Sequence, residues 1–287
     1  MGGTARTALL MFVLTGMLLL IGFAAGYLTG IPITYTLGIF LLIAVLMNLA
    51  IYWYADRWVL KLYRAKIVSE AEQPKLHGMV SHLASNARLP KPRVAIIPTD
   101  TPNAFATGRS PSHSVVAVTQ GAMDMLDDEE LEAVLGHELA HIKNRDMLIN
   151  TMAAIIGAVI TYVMYFSIFA GGRRDRGGGG GILAILAIIL IPFVAMLVRL
   201  SISRGREYGA DRDGAGVSRK PLALANALRK LQSAARSRPM QRGNPSTAHM
   251  FIVNPFSGAR LSGLFSTHPP AEERIKRLEL MARTGRF

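Results

Sequence analysis

Two histidines one helical turn apart, with a glutamate directly after the first, are the residues of this chain best suited to chemistry. They stand in the stretch His137-Glu138-Leu139-Ala140-His141, which has the pattern H-E-x-x-H. On a helix both imidazoles lie on one face and can bind one zinc ion through neutral ring nitrogens. Glu138 can act as the general base that takes a proton from an attacking water. The pattern therefore predicts the core of a zinc-dependent peptidase, with one zinc ion per chain.

A helix has to position these three side chains, and the surrounding sequence predicts one. Asp127 followed three residues later by Glu130 forms a capping box, which is a signal for a helix start. Apolar residues then recur at helical spacing at Leu131, Val134, Leu135, Leu139 and Ile142. The alternative is a helix whose two histidines bind no metal.

A third metal ligand has to come from elsewhere in the chain. A catalytic zinc site takes three protein ligands and keeps one position open. The sequence after His141 lacks the Gly and His of the metzincin extension. Glu207 is the best candidate, and Asp211 lies one helical turn further on the same face. One carboxylate can bind the metal while the other accepts a hydrogen bond from a ligand imidazole. The alternative is a solvated acidic pair among arginines.

Composition indicates that the chain is membrane-bound. The 287 residues are 51% hydrophobic and include no cysteine, which is too apolar for an ordinary soluble domain. Four uncharged runs approach or exceed the length of a bilayer span, namely residues 8–27, 33–54, 148–170 and 182–198. The first run has no clear small-residue cleavage site, so we interpret it as a retained anchor and not as a signal peptide.

These runs predict a mostly α-helical, multipass fold with four transmembrane helices and an α+β, zincin-like catalytic domain. The predicted parts are a transmembrane hairpin over residues 1–54, a catalytic part over 55–147 that holds the H-E-x-x-H helix, a second hairpin over 148–200, and a catalytic part over 201–287 that holds the third ligand. Seven residues separate His141 from Leu148, and seven separate Leu200 from Glu207. If both helices run on unbroken, both site segments lie about 10 Å from the membrane.

Basic residues predict the orientation. There are 11 Lys and Arg in residues 55–147 and 16 in 201–287, against 3 in the glycine-rich loop between runs three and four. The positive-inside rule then predicts that both polar stretches, and with them the active site, face the cytoplasm. We expect the chain in the inner (plasma) membrane. The net charge is +13. We interpret it as favouring contact with an anionic lipid bilayer and not with nucleic acid, because basic segments adjoin the membrane runs.

Taken together, the motifs resemble those of the HtpX family of membrane-embedded zinc metallopeptidases. The shared residues are His137–Ile142 with Arg145 and Asp146, Glu207 and Tyr208 with Ala210 and Asp211, and His268-Pro269-Pro270 with Arg274. The resemblance covers essentially the whole chain. It implies zinc, endopeptidase activity toward protein substrates, a cytoplasmic site, and a role in quality control of membrane proteins under stress. The sequence leaves the oligomeric state open.

The resemblance also implies roles for two residues near the C-terminus. His268 would lie near the metal and stabilise the developing oxyanion, as an imidazolium or a neutral N–H donor. The alternative is a histidine that caps the helix predicted to begin near Ala271. Arg274 could form an ion pair with Asp211 or another carboxylate of the site.

A segment beside the predicted site is a candidate for substrate binding. Residues 93–97 and 114–119 read as strands, and Asn103, Ala104 and Phe105 lie between them in a segment that resembles the family's active-site edge. An edge strand here can bind an extended peptide by β-addition. The alternative is a purely structural hairpin.

The other histidines predict no chemistry. His77 and His82 lie on an amphipathic stretch and are expected at the surface, and His113 and His249 lie in Ser- and Pro-containing loops.

Two other functions compete with a quality-control peptidase. One is a prenyl-protein endopeptidase, which cleavage of a farnesylated CAAX peptide would distinguish. The other is a membrane scaffold or chaperone whose metal only stabilises the fold. Glu138 argues against the second, because a structural zinc site has no use for a base.

Overall fold

The computed structural model describes residues 3–157, 204–240, 243, 245–256 and 269–285. Its elements are α1 (Gly3–Thr29), α2 (Ile33–Leu62), β1 (Lys66–Ile67), α3 (Pro74–Ala87), β2 (Arg93–Ile97), β3 (Ala104–Ser110), β4 (His113–Thr119), α4 (Gln120–Met125), α5 (Asp128–Lys143), α6 (Met147–Gly157), α7 (Arg204–Ser218), α8 (Pro221–Ser237), a 3-10 turn (Pro245–Met250) and α9 (Ala271–Thr284). Most of the third apolar run, all of the fourth, and His268 lie outside the described residues.

Helices α1 and α2 are long and apolar enough to cross a membrane, over Thr7–Tyr27 and Ile33–Leu62. Helix α2 begins where the second apolar run was predicted to begin and continues past residue 54. The two helices approach closely at Gly22, where an added Cβ would lie 2.8 Å from Phe40 Cβ. Asn48 Nδ2 donates a hydrogen bond to Thr15 Oγ1 at 3.0 Å. Small residues and single polar contacts of this kind are typical of helix pairs in membranes.

A four-stranded sheet has the order β1-β2-β4-β3. Strands β2 and β4 are parallel, whereas the β1–β2 and β3–β4 pairs are antiparallel. The predicted strand over residues 93–97 is confirmed, and the one over 114–119 is confirmed with one further residue at its start. Gly108 has a φ of +139°, and a Cβ there would meet the His113 carbonyl oxygen at 2.2 Å. The tight β3–β4 hairpin thus requires glycine, and it leaves β3 at the edge of the sheet.

Both faces of this sheet are buried because the side chains of its strands alternate. Phe105, Val115 and Ala117 join a core that includes residues of α1 and α2. Ala104 and Ala106 face the opposite way, into a core that includes Leu135 and Leu139 of α5. The small alanine side chains let α5 lie against the edge strand. The sheet therefore connects the membrane helices to the helix with the H-E-x-x-H pattern.

The expectation of an unbroken helix from His141 into the third apolar run is wrong. Helix α5 ends at Lys143, and Arg145 adopts a left-handed φ of 57° before α6 begins. The Asp146 N–H donates to the His141 carbonyl at 3.0 Å, which closes the turn. The break returns the chain toward His141, so the depth of the site does not follow from helical rise.

Candidate metal centre

Helix α5 holds three of the predicted site residues in the protein interior. Its N-terminus has the capping box between Asp127 and Glu130 that the sequence predicts. His137, Glu138 and His141 are 0%, 2% and 8% exposed. A buried polar group is costly unless it has partners, so these side chains need a polar environment inside the fold.

Two facing glycines bring α7 against α5. A Cβ on Gly214 would lie 2.7 Å from the backbone N and Cα of His137, and a Cβ on Gly136 would lie 2.9 Å from the Gly214 carbonyl oxygen. The backbones can approach this closely only without side chains. This contact places Glu207 and Asp211, both on α7, beside the histidines of α5.

Candidate ligand atoms of three side chains converge between the two helices, and one atom from each lies within 4.8 Å of the other two. His137 Nε2 and His141 Nε2 lie 3.2 Å apart. Glu207 Oε1 lies 3.6 Å from His141 Nε2, and Glu207 Oε2 lies 3.8 Å from His137 Nε2. Ligands bound tetrahedrally to zinc at its usual bond lengths lie about 3.3 Å apart. The donor set and its spacing fit a zinc ion, and in the described part of the chain these three residues form a group that could hold a metal ion.

The other ring nitrogen of each histidine faces a carboxylate. Asp211 Oδ1 lies 3.0 Å from His137 Nδ1, and Asp146 Oδ2 lies 3.5 Å from His141 Nδ1. Such outer carboxylates fix the ring orientation and the tautomer of a metal ligand. The sequence predicts a partner of this kind at Asp211. It indicates no role for Asp146, because the position of this residue depends on the break after α5.

Arg274 of α9 is the cation that faces Asp211. It is 1% exposed and binds both carboxylate oxygens, at 2.8 Å from Nε and 2.7 Å from one terminal nitrogen. The other terminal nitrogen donates to the Ile252 carbonyl at 2.9 Å and lies 3.6 Å from Glu207 Oε2. The structure therefore contains the Arg274–Asp211 ion pair, which links α9 to α7.

Burial and neighbouring charges set opposite pKa shifts on the two histidines. Burial lowers the pKa of His137 to about 4, and the charge of Arg274 acts in the same direction. For His141 burial also favours the neutral ring, but Asp146 and Glu207 outweigh it and raise its pKa to about 9. A metal ion would take the place of the His141 proton, because imidazole binds metal only when neutral.

The carboxyl groups also differ in their protonation. Burial raises the pKa of Glu138 to about 7, and the charge of Glu207 adds to this, against a backbone hydrogen bond from Ala106. Burial would raise the pKa of Asp211 too, but Arg274 outweighs it and the pKa is lowered. Near neutral pH Glu138 can therefore gain or release a proton, while Asp211 stays ionised.

The predicted substrate residues are buried, and their polar groups already have partners. Asn103, Ala104 and Phe105 are each 0% exposed. The Ile252 N–H donates to the Ala104 carbonyl at 3.3 Å, and Asn103 Nδ2 donates to the Val253 carbonyl at 2.7 Å. We call residues 249–253 the cover segment. It occupies part of the edge of β3.

The cover segment also closes the cavity at the metal centre. The cavity has a volume of about 10 Å³, room for about one water molecule or ion. It is lined by Ala106, His137, Glu138, His141, Asn150, Glu207 and residues 249–252. A peptide does not fit this volume, so substrate entry requires that part of the lining move.

Two histidines lie elsewhere than the sequence predicted. His249 is 3% exposed and lines the same cavity, with Nε2 2.9 Å from the Asn150 carbonyl oxygen. No sequence pattern distinguished it from a loop histidine. His77 is also buried, and its Nε2 lies 3.0 Å from the Val68 carbonyl oxygen. His268 lies outside the described residues.

The chain is similar to known proteases over almost its full length. The profile of peptidase family M48 matches residues 70–282. A "Protease HtpX homolog" from Thermococcus kodakarensis is 53% identical over 282 residues, which cover 96% of this chain and 95% of that protein. One from Salinibacter ruber is 52% identical and covers 97% and 98%.

A solved structure shares the fold. The crystal structure of S. mikatae Ste24p matches with a TM-score of 0.50 and 17% sequence identity. The match covers 96% of this chain and 65% of that chain.

Proposed function

The chain belongs to peptidase family M48 and is a membrane-bound metalloendopeptidase, and from that premise we propose which residues carry out its chemistry. His137, His141 and Glu207 hold one zinc ion, and Glu138 is the general base. The observation that supports this most directly is the convergence of the three buried side chains, each of which places one candidate ligand atom within 4.8 Å of the other two.

Each of these side chains then has a separate role in hydrolysis. When bound, zinc supplies Lewis-acid polarisation of the scissile carbonyl. Glu138 accepts the proton of the attacking water and passes it to the leaving amine. Asp211 and Asp146 hold the ligand imidazoles through their Nδ1 atoms. Arg274 keeps Asp211 ionised, so that it accepts the His137 N–H.

His268 remains the proposed oxyanion-stabilising residue on the strength of the family resemblance. Its neighbours Pro269 and Pro270 are described, and α9 begins directly after them at Ala271. Since Arg274 lies in the first turn of α9 and binds Asp211, the start of this helix is close to the metal centre. This closeness supports the proposal.

We propose that substrate binds along the edge of β3 by β-addition, as an extended peptide. The Ala104 carbonyl and the Asn103 amide would then hydrogen-bond the substrate backbone in place of Ile252 and Val253. A scan of one peptide substrate with single N-methylated residues tests this. Loss of cleavage should alternate along the peptide, because only every second N–H faces the strand. Uniform tolerance of N-methylation would rule out β-addition.

The proposed topology has four transmembrane helices, with part boundaries at residues 54, 147 and 200, and the catalytic parts in the cytoplasm. It rests on the four apolar runs and on the distribution of Lys and Arg. The chain contains no cysteine, so a thiol reagent would label only a single cysteine introduced at Gly30 or Lys91. The labelling shows on which side of the membrane that position lies. Labelling of Gly30→Cys from outside and of Lys91→Cys only after permeabilisation is expected. The reverse pattern would overturn the orientation.

For the biological role we propose degradation of damaged membrane proteins under stress. This rests on the family resemblance, and no sequence motif favours a prenylated substrate. A misfolded membrane protein and a farnesylated CAAX peptide, tested side by side, separate the two. Preferential cleavage of the farnesylated peptide would contradict the quality-control role.

The experiment that tests the chemistry is metal removal and replacement on the full chain in detergent. Casein cleavage should be lost on chelation and restored by zinc. Glu138→Gln should bind zinc and lose at least about 100-fold in activity, the lower range for general base catalysis. Glu129→Gln is the matched control, since Glu129 lies on the same helix with a side chain 73% exposed. Equal activity of both variants would remove Glu138 from the mechanism.

A further inference from the structure

A second cavity lies away from the metal centre, where the edge strand meets the membrane helices. It has a volume of about 300 Å³, at the lower end of small-molecule pockets, which span roughly 300–1,000 Å³. Its polar lining is supplied by Thr7, Ser110, Arg109 and Arg145, and its apolar lining by Ala8, Met11, Tyr52, Met147 and Leu148. It therefore combines two arginines with an apolar wall.

Aromatic residues place this cavity at the edge of the bilayer. Tyr35 is 68% exposed near the start of α2, and Trp53 is 49% exposed further along the same helix. The 18 residues between these positions span about 27 Å at helical rise, close to the roughly 30 Å thickness of the hydrocarbon core. Tyr and Trp concentrate at both membrane interfaces. Trp53 therefore marks one interface, and Tyr52 beside it lines the cavity.

Neither arginine of the cavity, which lies at the membrane interface, has an acidic partner among the described residues. The Arg109 guanidinium lies over the Trp53 ring, 4.4 Å from its centroid. Arg145 occupies the left-handed turn between α5 and α6. Within the described part of the chain, neither arginine forms an ion pair with a carboxylate, whereas Arg93 and Arg274 do. Two cations that share a cavity repel each other, so an anion between them is favourable.

The apolar wall continues from the interface toward the membrane interior. Met11 lies one helical turn beyond Thr7 along α1, and Leu148 lies in the first turn of the apolar helix α6. A ligand that fits this arrangement has a negative group at the interface and hydrocarbon below it. A soluble anion would leave the apolar wall uncovered.

We infer that this cavity binds an anionic phospholipid of the adjacent leaflet, with Arg109 and Arg145 contacting its headgroup phosphate. The bound headgroup connects the end of β3 to the turn that carries Asp146, so it braces two elements of the metal centre. The inference rests on the membrane location of the chain and not on the assignment of the metal or the base.

The test is a binding titration of fluorescent phosphatidylglycerol to the full chain in neutral detergent, with phosphatidylcholine of the same acyl chains as reference. A basic residue in direct contact with an anionic headgroup is expected to contribute about 5-fold in affinity, and two such residues about 30-fold. Arg109→Gln and Arg145→Gln should therefore each weaken phosphatidylglycerol binding about 5-fold, and the double variant about 30-fold. Equal binding of the two lipids by the unmodified chain would overturn the inference.

Arg57→Gln is the matched control. Arg57 also lies over an aromatic ring of α2, 5.5 Å from the Tyr54 centroid, but it does not line the cavity. Its loss should change binding less than 2-fold. An effect as large as that of Arg109→Gln would show general attraction to an anionic surface and would overturn a defined site.

Two further arms separate a lipid from a free phosphate and guard against misfolding. Inorganic phosphate at millimolar concentration should not displace the lipid, and full displacement would identify a soluble-anion site instead. If the variant with both Arg109→Gln and Arg145→Gln does not fold, the variant with both Arg109→Lys and Arg145→Lys tests the inference. It keeps both charges and should keep the preference for phosphatidylglycerol, and loss of that preference would overturn the inference. Because binding is read without catalysis, failure here leaves the proposed metal site untouched.

Discussion

Two helix pairs in this chain approach closely at a glycine, and they differ in the side chains that lie between the helices. Gly22 brings α1 against the Phe40 side chain of α2, in a contact that is mostly apolar. Gly214 brings α7 against the backbone of His137 on α5, where the groups between the helices are charged or ionisable. We call the first the membrane pair and the second the catalytic pair. In the catalytic pair buried ionisable groups lie within 4 Å of one another, so single changes should cost much more.

The largest expected effect comes from removing Arg274, the buried cation of α9 that faces Asp211 of the catalytic pair. Arg274→Met leaves Asp211 as an uncompensated buried charge, which typically costs about 3–5 kcal/mol. We expect a marked fall in the apparent melting temperature in detergent. Arg277→Met is the control, because Arg277 lies one turn away with a side chain 52% exposed. Adding Asp211→Asn to Arg274→Met should recover part of the loss, and no recovery would contradict a charge-based cause.

A methyl group between α5 and α7 tests the close approach itself. Gly214→Ala places a Cβ 2.7 Å from the His137 backbone, and overpacking of this kind costs about 1–3 kcal/mol. Activity should fall as well, since the histidine and Glu207 move apart. Gly209→Ala, on the same helix with open space around it, should stabilise by about 0.5–1 kcal/mol. Gly22→Ala should lower activity less than Gly214→Ala, because the helices that it forces apart hold none of the proposed metal ligands.

Asp146→Asn weakens the orientation of His141 without removing a ligand. Loss of an outer carboxylate typically lowers metal affinity by about 10–100-fold. Competition with a chelator of known affinity measures this on the purified chain. Asp213→Asn is a suitable control, because Asp213 is partly exposed and contacts Asn144 and Arg212 and no metal ligand. Equal zinc affinity in both variants would remove Asp146 from the site.

The smallest effect is expected in the membrane pair. Asn48→Ala removes the hydrogen bond to Thr15, and such bonds between membrane helices average about 0.6 kcal/mol. The melting temperature should change little, and activity should not change. A fall in melting temperature as large as that of Arg274→Met would contradict the expected difference in sensitivity between the two helix pairs.

The parts that local sequence controls were predictable. The capping box defined the start of α5, and the pattern of β-branched residues located β2 and β4, because both depend on neighbours along the chain. The shared helix face of Glu207 and Asp211 was also inferable, since it follows from helical periodicity.

The parts that tertiary contact controls were not predictable. The break at Arg145 carries no Pro or Gly signal, and it decides that Asp146 faces His141. His249 becomes a cavity residue only because the cover segment folds back onto β3. Gly136 and Gly214 are 78 positions apart in the sequence, and nothing local indicates that they face each other.

The separation of the metal ligands along the chain also bears on biosynthesis. His137 and His141 are made well before Glu207, and the apolar residues 148–170 and 182–198 are made between them. A nascent chain that ends before α7 carries two imidazoles and no third ligand, and until α9 is complete Asp211 has no Arg274. The proposed metal centre can therefore assemble only after the intervening apolar residues have been synthesised, so a partly synthesised chain cannot hold the metal with all three proposed ligands.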